Sequence, residues 1–171
     1  MYLTSQKGKE PIMKTHVKKN KYLFLCFLII IFSAYVSKFW FQFTLIQGDS
    51  MLPTYHNWQL VLIDKHTTNF SYGDVIVFTN DTLHSTLVKR IFALPGDTVQ
   101  IIDGFLYVNG QPSPLLPDNT NLTYPGIAAS SIYLADDEYF VLGDNHEFSI
   151  DSRYPEVGII KLDTILGKVI K

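Results

Sequence analysis

The chain has 171 residues, 14 Lys and Arg against 16 Asp and Glu, a formal charge of −2, 47% hydrophobic residues and one cysteine. That length holds one domain of ordinary size with residues left for an anchor, and 10 Gly, 8 Pro and 14% aromatics exclude collagen-like, disulfide-scaffold and wholly disordered chains. Only Cys26 could join the five scattered His (His16, His56, His66, His84, His146), so no four-ligand zinc site is expected, and the near-neutral balance argues against a nucleic-acid partner.

The charge is unevenly spread. Residues 1–21 hold six Lys (Lys7, Lys9, Lys14, Lys18, Lys19, Lys21) and Glu10, a net +5, which leaves −7 for the other 150 residues. Tyr22 to Ser37 follows, uncharged and rich in Leu, Ile and Phe, and then Lys38 with Phe39-Trp40-Phe41. At 1.5 Å per residue the uncharged run spans about 24 Å, short of a hydrocarbon layer of roughly 30 Å. Extension to Ile46 supplies the length, with Lys38 snorkelling and the aromatics forming an interfacial belt. A cleavable secretory signal has the same order, but its apolar part is shorter and ends in a small-x-small pair that is lacking here. The expected organisation is a basic cytoplasmic leader (1–21), a transmembrane anchor (22–46) and an extracytoplasmic domain (47–171), oriented in the cell membrane by the positive-inside rule.

Beyond Ile46 the pattern becomes short apolar runs between turn signals. Leu60–Ile63, Val75–Phe78, Leu87–Leu94, Val99–Ile102, Phe105–Val108, Tyr139–Leu142 and Ile165–Ile170 read as strands. Asp103-Gly104 signals a two-residue hairpin, and Asn109-Gly110 and Pro95-Gly96-Asp97 mark further turns. The sequence predicts a mostly antiparallel β domain, with 111–131 as its most irregular loop.

Three stretches carry chemistry. In Gly48-Asp49-Ser50-Met51-Leu52-Pro53-Thr54, a serine between turn formers can present its hydroxyl and its own N–H to a reacting carbonyl. Taken alone, such a serine is more often an ordinary turn residue, and no Gly-x-Ser-x-Gly elbow or spaced His-Asp pair supports a triad. In Val88-Lys89-Arg90 through Leu94-Pro95-Gly96-Asp97, Lys89 interrupts an apolar strand. Pointing inward it loses hydration of its charge, and its pKa falls; pointing outward it merely snorkels. A neutral lysine next to a serine is an alternative to the His-based triad. Gly143-Asp144-Asn145-His146-Glu147-Phe148-Ser149-Ile150-Asp151-Ser152-Arg153 packs turn formers, hydroxyls and a pairable Asp151 and Arg153 into one loop, which by itself reads as a solvated ion pair of little worth.

Together the blocks resemble the bacterial type I signal peptidases, membrane-anchored Ser/Lys proteases. The resemblance runs over about residues 21–171 and rests on Ser50-Met51-x-Pro53-Thr54, Gly73-Asp74-Val75-Ile76-Val77-Phe78, Val88-Lys89-Arg90 with Leu94-Pro95-Gly96-Asp97, and Gly143-Asp144-Asn145 with Ser149-x-Asp151-Ser152-Arg153. It implies an all-β protease domain that removes signal peptides from exported preproteins after small-x-small sites, needs no cofactor or metal, and works at a lipid bilayer. It further implies Ser50 as nucleophile, Lys89 as general base and Ser149 as the hydroxyl that orients Lys89. Asp144 with Arg90, and Asp151 with Arg153, would be structural ion pairs. Where some members have a serine that helps bind the oxyanion this chain has Gly48, so the backbone donors of that turn, including the Ser50 N–H, are expected to serve. Met51, next to the nucleophile, is expected to line a substrate pocket. His146-Glu147-Phe148 departs from the family, which commonly has Arg and Asn at the first and third positions. The other reading is a non-catalytic or dedicated signal-peptidase-like factor for assembly of particular surface proteins.

Overall fold

The computed structural model describes residues 13–117 and 120–170. Lys7, Lys9 and Glu10 of the expected leader lie outside the described residues. Contacts divide the chain into two units that meet between Phe39 and Trp40.

The described residues of the first unit lie in helix α1 (Met13–Trp40), whose last residue is counted with the second. Its stretch Lys21–Trp40 is long and apolar enough to cross a membrane, since 20 residues rise about 30 Å. Apolar side chains such as Leu23, Phe24, Ile30 and Phe32 are all exposed, so no face is reserved for a protein core.

The helix stops earlier than expected. Phe41–Leu45 is strand β1, paired antiparallel with β2 (Leu60–Asp64) from Phe41↔Asp64 to Leu45↔Leu60. Of residues 22–46, expected as the anchor, those to Trp40 are helical and Phe41–Leu45 are strand, while Ile46, 2% exposed, belongs to the core of the second unit. The cause lies in Phe-Gln-Phe-Thr-Leu, where polar residues at every second place give the period of a strand.

The second unit is antiparallel throughout. The remaining strands are β3 (Val75–Asn80), β4 (Ser85–Ala93), β5 (Thr98–Ile102), β6 (Phe105–Val108), β7 (Gln111–Pro112), β8 (Ile132–Tyr133), β9 (Glu138–Leu142), β10 (Ile160–Lys161) and β11 (Ile165–Ile170). A seven-stranded sheet runs β1-β2-β11-β3-β4-β9-β10, and a four-stranded sheet runs β7-β6-β5-β8. All seven predicted strands are present. Strand β3 explains the design of the larger sheet, because four successive residues, Val75 to Phe78, are buried. Val75 and Val77 pack with Ile46, Met51, Tyr55 and Val61, whereas Ile76 and Phe78 pack with Phe70, Ile91 and Val141. Alternate residues thus feed cores on opposite faces, which is why a central strand reads as an unbroken apolar run.

A third cluster joins the two sheets through Phe92 of β4, Val99 of β5, Leu106 of β6 and Leu142 of β9. The β5–β6 hairpin turns at Asp103 (φ 51°) and Gly104 (φ 83°), left-handed positions that favour the Asp-Gly pair. The loop expected at 111–131 packs against both flanks: the Leu122 N–H donates to Gly104 O (2.8 Å), and the Ile127 N–H to Arg153 O (2.9 Å). It thereby links the small sheet to the Arg153 loop.

Candidate active site

The three chemical stretches meet in the second unit. After β1 the chain is held against the approach to β2, with the Ile46 N–H donating to Gln59 O (2.9 Å) and the Trp58 N–H to Ile46 O (2.8 Å). Gly48 takes φ +85°, a conformation that favours glycine. Its N–H donates to Asn57 Oδ1 (3.0 Å), so this donor is already engaged. The Ser50 N–H has no acceptor among the described residues. Gly48 shapes the turn that presents Ser50.

Met51 turns the other way. It is completely buried among Ile46, Tyr55, Val61 and Val77 and is not among the residues that line the cleft over Ser50. Met51, the residue expected to line a substrate pocket, thus packs into the core next to the nucleophile's turn.

Lys89 lies on β4 opposite Ile76 and is 3% exposed. Its Nζ donates to Ser50 Oγ (2.8 Å) and to Val88 O (3.1 Å). Burial pushes its pKa down to about 8, and the more distant carboxylates of Asp151 and Asp144 oppose that shift only in part. A buried ammonium with few partners is costly to keep charged, so the neutral amine becomes accessible near physiological pH.

Around this pair the loop 143–153 is tightly folded. The Asn145 N–H donates to Ser50 O (3.0 Å) and its side-chain amide to Asp49 O (3.0 Å), which ties the third stretch directly to the first. Asp144 accepts from Arg90 Nε (2.7 Å) and Nη2 (2.5 Å), and Arg90 Nη1 donates to Gly73 O (2.7 Å). Since Arg90 follows Lys89, this fork fixes the strand beside the lysine. Asp151 and Arg153, 0% and 2% exposed, form a second fork through Nε (2.8 Å) and Nη2 (3.0 Å). Asp151 also accepts from the Gly143 N–H (3.1 Å), and Arg153 Nη2 donates to His146 O (2.7 Å). Such charge-assisted, two-pronged bonds fix geometry as well as position.

Ser149 is 2% exposed and its Oγ has no hydrogen-bond partner among the described residues; in particular, none joins it to Lys89. It sits against Gly143, where an added Cβ would overlap both Ser149 Oγ and Ser50 O. Glycine at 143 thus lets the two serine segments converge. His146 is half-buried, with its ring at a steep angle to that of Phe92 (centroids 6.3 Å apart) and its Nδ1 without a partner among the described residues. Burial and the Arg153 cation hold its pKa below the usual value. Among the described residues no group of three or more His, Cys, Asp and Glu is placed to hold a metal ion.

Ser50 and Lys89 open into a cleft of about 700 Å³. One wall runs from Gln42 to Ser50 and the other from Leu83 to Lys89. Strand β4 pairs with β3 from Ser85 to Arg90 but with β9 only from Arg90 to Ala93, so its first half presents an unpaired edge to the cleft. Sequence reasoning assigned no role to Asn57, Gly143 or Asn145. Gly143 and Asn145 stand within a quoted motif that could have flagged them, whereas nothing in the sequence singles out Asn57.

The family model described as signal peptidase, peptidase S26 matches residues 19–171. Signal peptidase I S of Bacillus subtilis (strain 168) is 34% identical over 137 residues, covering 74% of this chain and 73% of that protein. Signal peptidase I P of Bacillus subtilis subsp. natto is 33% identical over 170 residues, covering 93% and 90%, and signal peptidase I T of Bacillus subtilis (strain 168) is 30% identical, covering 96% and 92%. A match over nearly the whole chain, with relatives this similar along most of their own length, means that the chain belongs to the signal peptidases of family S26 and is a serine endopeptidase of the signal peptidase I kind.

Proposed function

We propose that the chain removes signal peptides from exported preproteins with Ser50 as nucleophile and Lys89 as general base. The observation that carries this reading is the 2.8 Å contact between Ser50 Oγ and a buried lysine whose pKa is lowered to about 8. Neutral Lys89 takes the Ser50 proton as Oγ attacks the scissile carbonyl, and the free Ser50 N–H stabilises the oxyanion. The ammonium then gives that proton to the leaving amine, and an acyl-enzyme remains. A water activated by Lys89 attacks the ester, returns the proton to Ser50 and releases the new carboxyl end.

The substrate lies extended between the two strand edges that wall the cleft, adding its backbone to the open half of β4. Small side chains at the first and third positions before the cut enter shallow pockets, and the second points away. Helix α1 anchors the protein in the cell membrane, with the lysines of residues 1–21 holding the N-terminus in the cytoplasm and the catalytic unit outside. The anchor holds the enzyme in the same bilayer as the substrate's own apolar segment.

An acyl-enzyme is the discriminating species. Acid-quenching the detergent-solubilised full chain during cleavage of a preprotein ending in Ala-x-Ala should leave the signal peptide esterified to Ser50, detectable by mass spectrometry. Turnover without that adduct, or with the adduct on another residue, rules out the assignment, and an absence of turnover favours a binding factor.

Ser149 is proposed to take the second hydrogen bond of Lys89 when substrate closes the cleft. A buried hydroxyl with no partner calls for one, and its packing against Gly143 sets it close to the Ser50 backbone. Ser149→Ala removes no existing bond, so the unfolding midpoint should hold while kcat falls about a hundredfold, as for a misplaced catalytic group. A fall in KM alone would contradict a positioning role.

A further inference from the structure

The loop that carries Ser149 has an alternation that catalysis leaves unused. Ser149 is 2% exposed and Asp151 0%, whereas Phe148 is 74% exposed and Ile150 52%. A segment with that alternation turns Phe148 and Ile150 to the same side, and both line the cleft that holds Ser50 and Lys89. Each is one residue from Ser149, and one residue spans only about 3.4 Å in an extended chain. Because Ser149 and the Ser50 backbone crowd the same point at Gly143, the segment that bears the two apolar side chains runs beside that of the nucleophile. A phenylalanine left so open to water at the edge of a reaction site is apolar area awaiting cover.

The occupant follows from continuity with the catalytic cleft, since the scissile segment of the substrate itself lies in that cleft. With the first and third side chains before the cut directed into the cleft, the second is directed to its rim. We propose that Phe148, with Ile150, forms a subsite for the residue two before the cut and selects a bulky apolar side chain there. This rests on the Ser50/Lys89 reading and adds specificity to it: among sites of the form Ala-x-Ala, those with Leu or Phe at x are cut preferentially. An apolar contact of this size discriminates by about tenfold or more.

The test uses the full chain in detergent and one preprotein in four versions, with Ser, Asp, Leu or Phe at x. Wild type should show a kcat/KM for Leu or Phe about tenfold above that for Ser. In Phe148→Ser the Leu-to-Ser ratio should fall to near one, and Ile150→Ser should lower it part-way. An unchanged ratio in Phe148→Ser overturns the proposal, and so does an equal loss on all four versions. A preference that follows the residue just after the cut, tested by varying it with x kept as Ser, overturns it as well. Ser50→Ala run in parallel separates the two levels. Cleavage surviving there refutes the nucleophile, while a constant ratio in Phe148→Ser with Ser50→Ala inactive refutes only the subsite.

Discussion

Ser50→Ala and Lys89→Ala should each lower single-turnover cleavage of an Ala-x-Ala preprotein by roughly 10⁴-fold or more, and the double variant should be no worse than either single one. The two side chains form one device. On the proposed reading, Lys89 is the one base hydrogen-bonded to Ser50 Oγ among the described residues, and without Ser50 its amine has no nucleophile to activate. Near-additive losses would mean that they act separately, and either variant retaining full activity would sink the assignment.

On the proposed assignment the same pair sets the pH profile. The Lys89 pKa is lowered to about 8 by burial, so the active neutral form is scarce below that pH and accumulates above it. Values of kcat/KM should rise about tenfold per pH unit at low pH, pass half-maximum near pH 8 and level off above. A lysine with an ordinary pKa near 10.4 would keep the rate climbing past pH 10. A midpoint at or below about 6.5 would point to histidine; His146, whose pKa is held low, is the candidate such a result would indicate.

The second large effect concerns stability. Arg153→Met leaves the completely buried Asp151 carboxylate without its cation and should destabilise the catalytic unit by about 3–5 kcal/mol, the usual cost of stranding one partner of a buried pair. It also removes the donor to His146 O and Ser149 O, so the loop that clamps the Ser50 segment through Asn145 loosens. Adding Asp151→Leu should recover part of the loss, because the stranded charge goes with it. Thermal unfolding of the three variants in detergent measures this cycle. A double variant less stable than Arg153→Met would show that hydrogen bonds from Asp151, such as the one accepted from Gly143 N–H, outweigh the charge.

Strands were legible where a run of apolar residues ended at a turn former, as at Phe105–Val108 between Asp103-Gly104 and Asn109-Gly110. Strand β1 was hidden because Phe41–Leu45 continues an apolar helix, and hydropathy registers residue type more readily than period. The two-residue strands β7, β8 and β10 are too short to display a period and exist through their partners. At the site, Ser50 and Lys89 are 39 residues apart, and no local rule joins them; the order of four motifs did. The burial of Met51 was not legible, because adjacency to Ser50 says nothing about direction, which the packing around the turn decides. The engagement of Gly48 by Asn57 depends on a side chain nine residues away whose conformation no motif specifies.

The unpaired first half of β4 bears on how the enzyme makes mistakes. A guest strand held by backbone bonds can slide along its host, but a shift of one residue exchanges every inward side chain for an outward one. A slip of two restores the alternation. Errors in the point of cutting should therefore come in steps of two, and a signal sequence ending in repeated small-x-small units yields mature proteins whose lengths differ by an even number of residues.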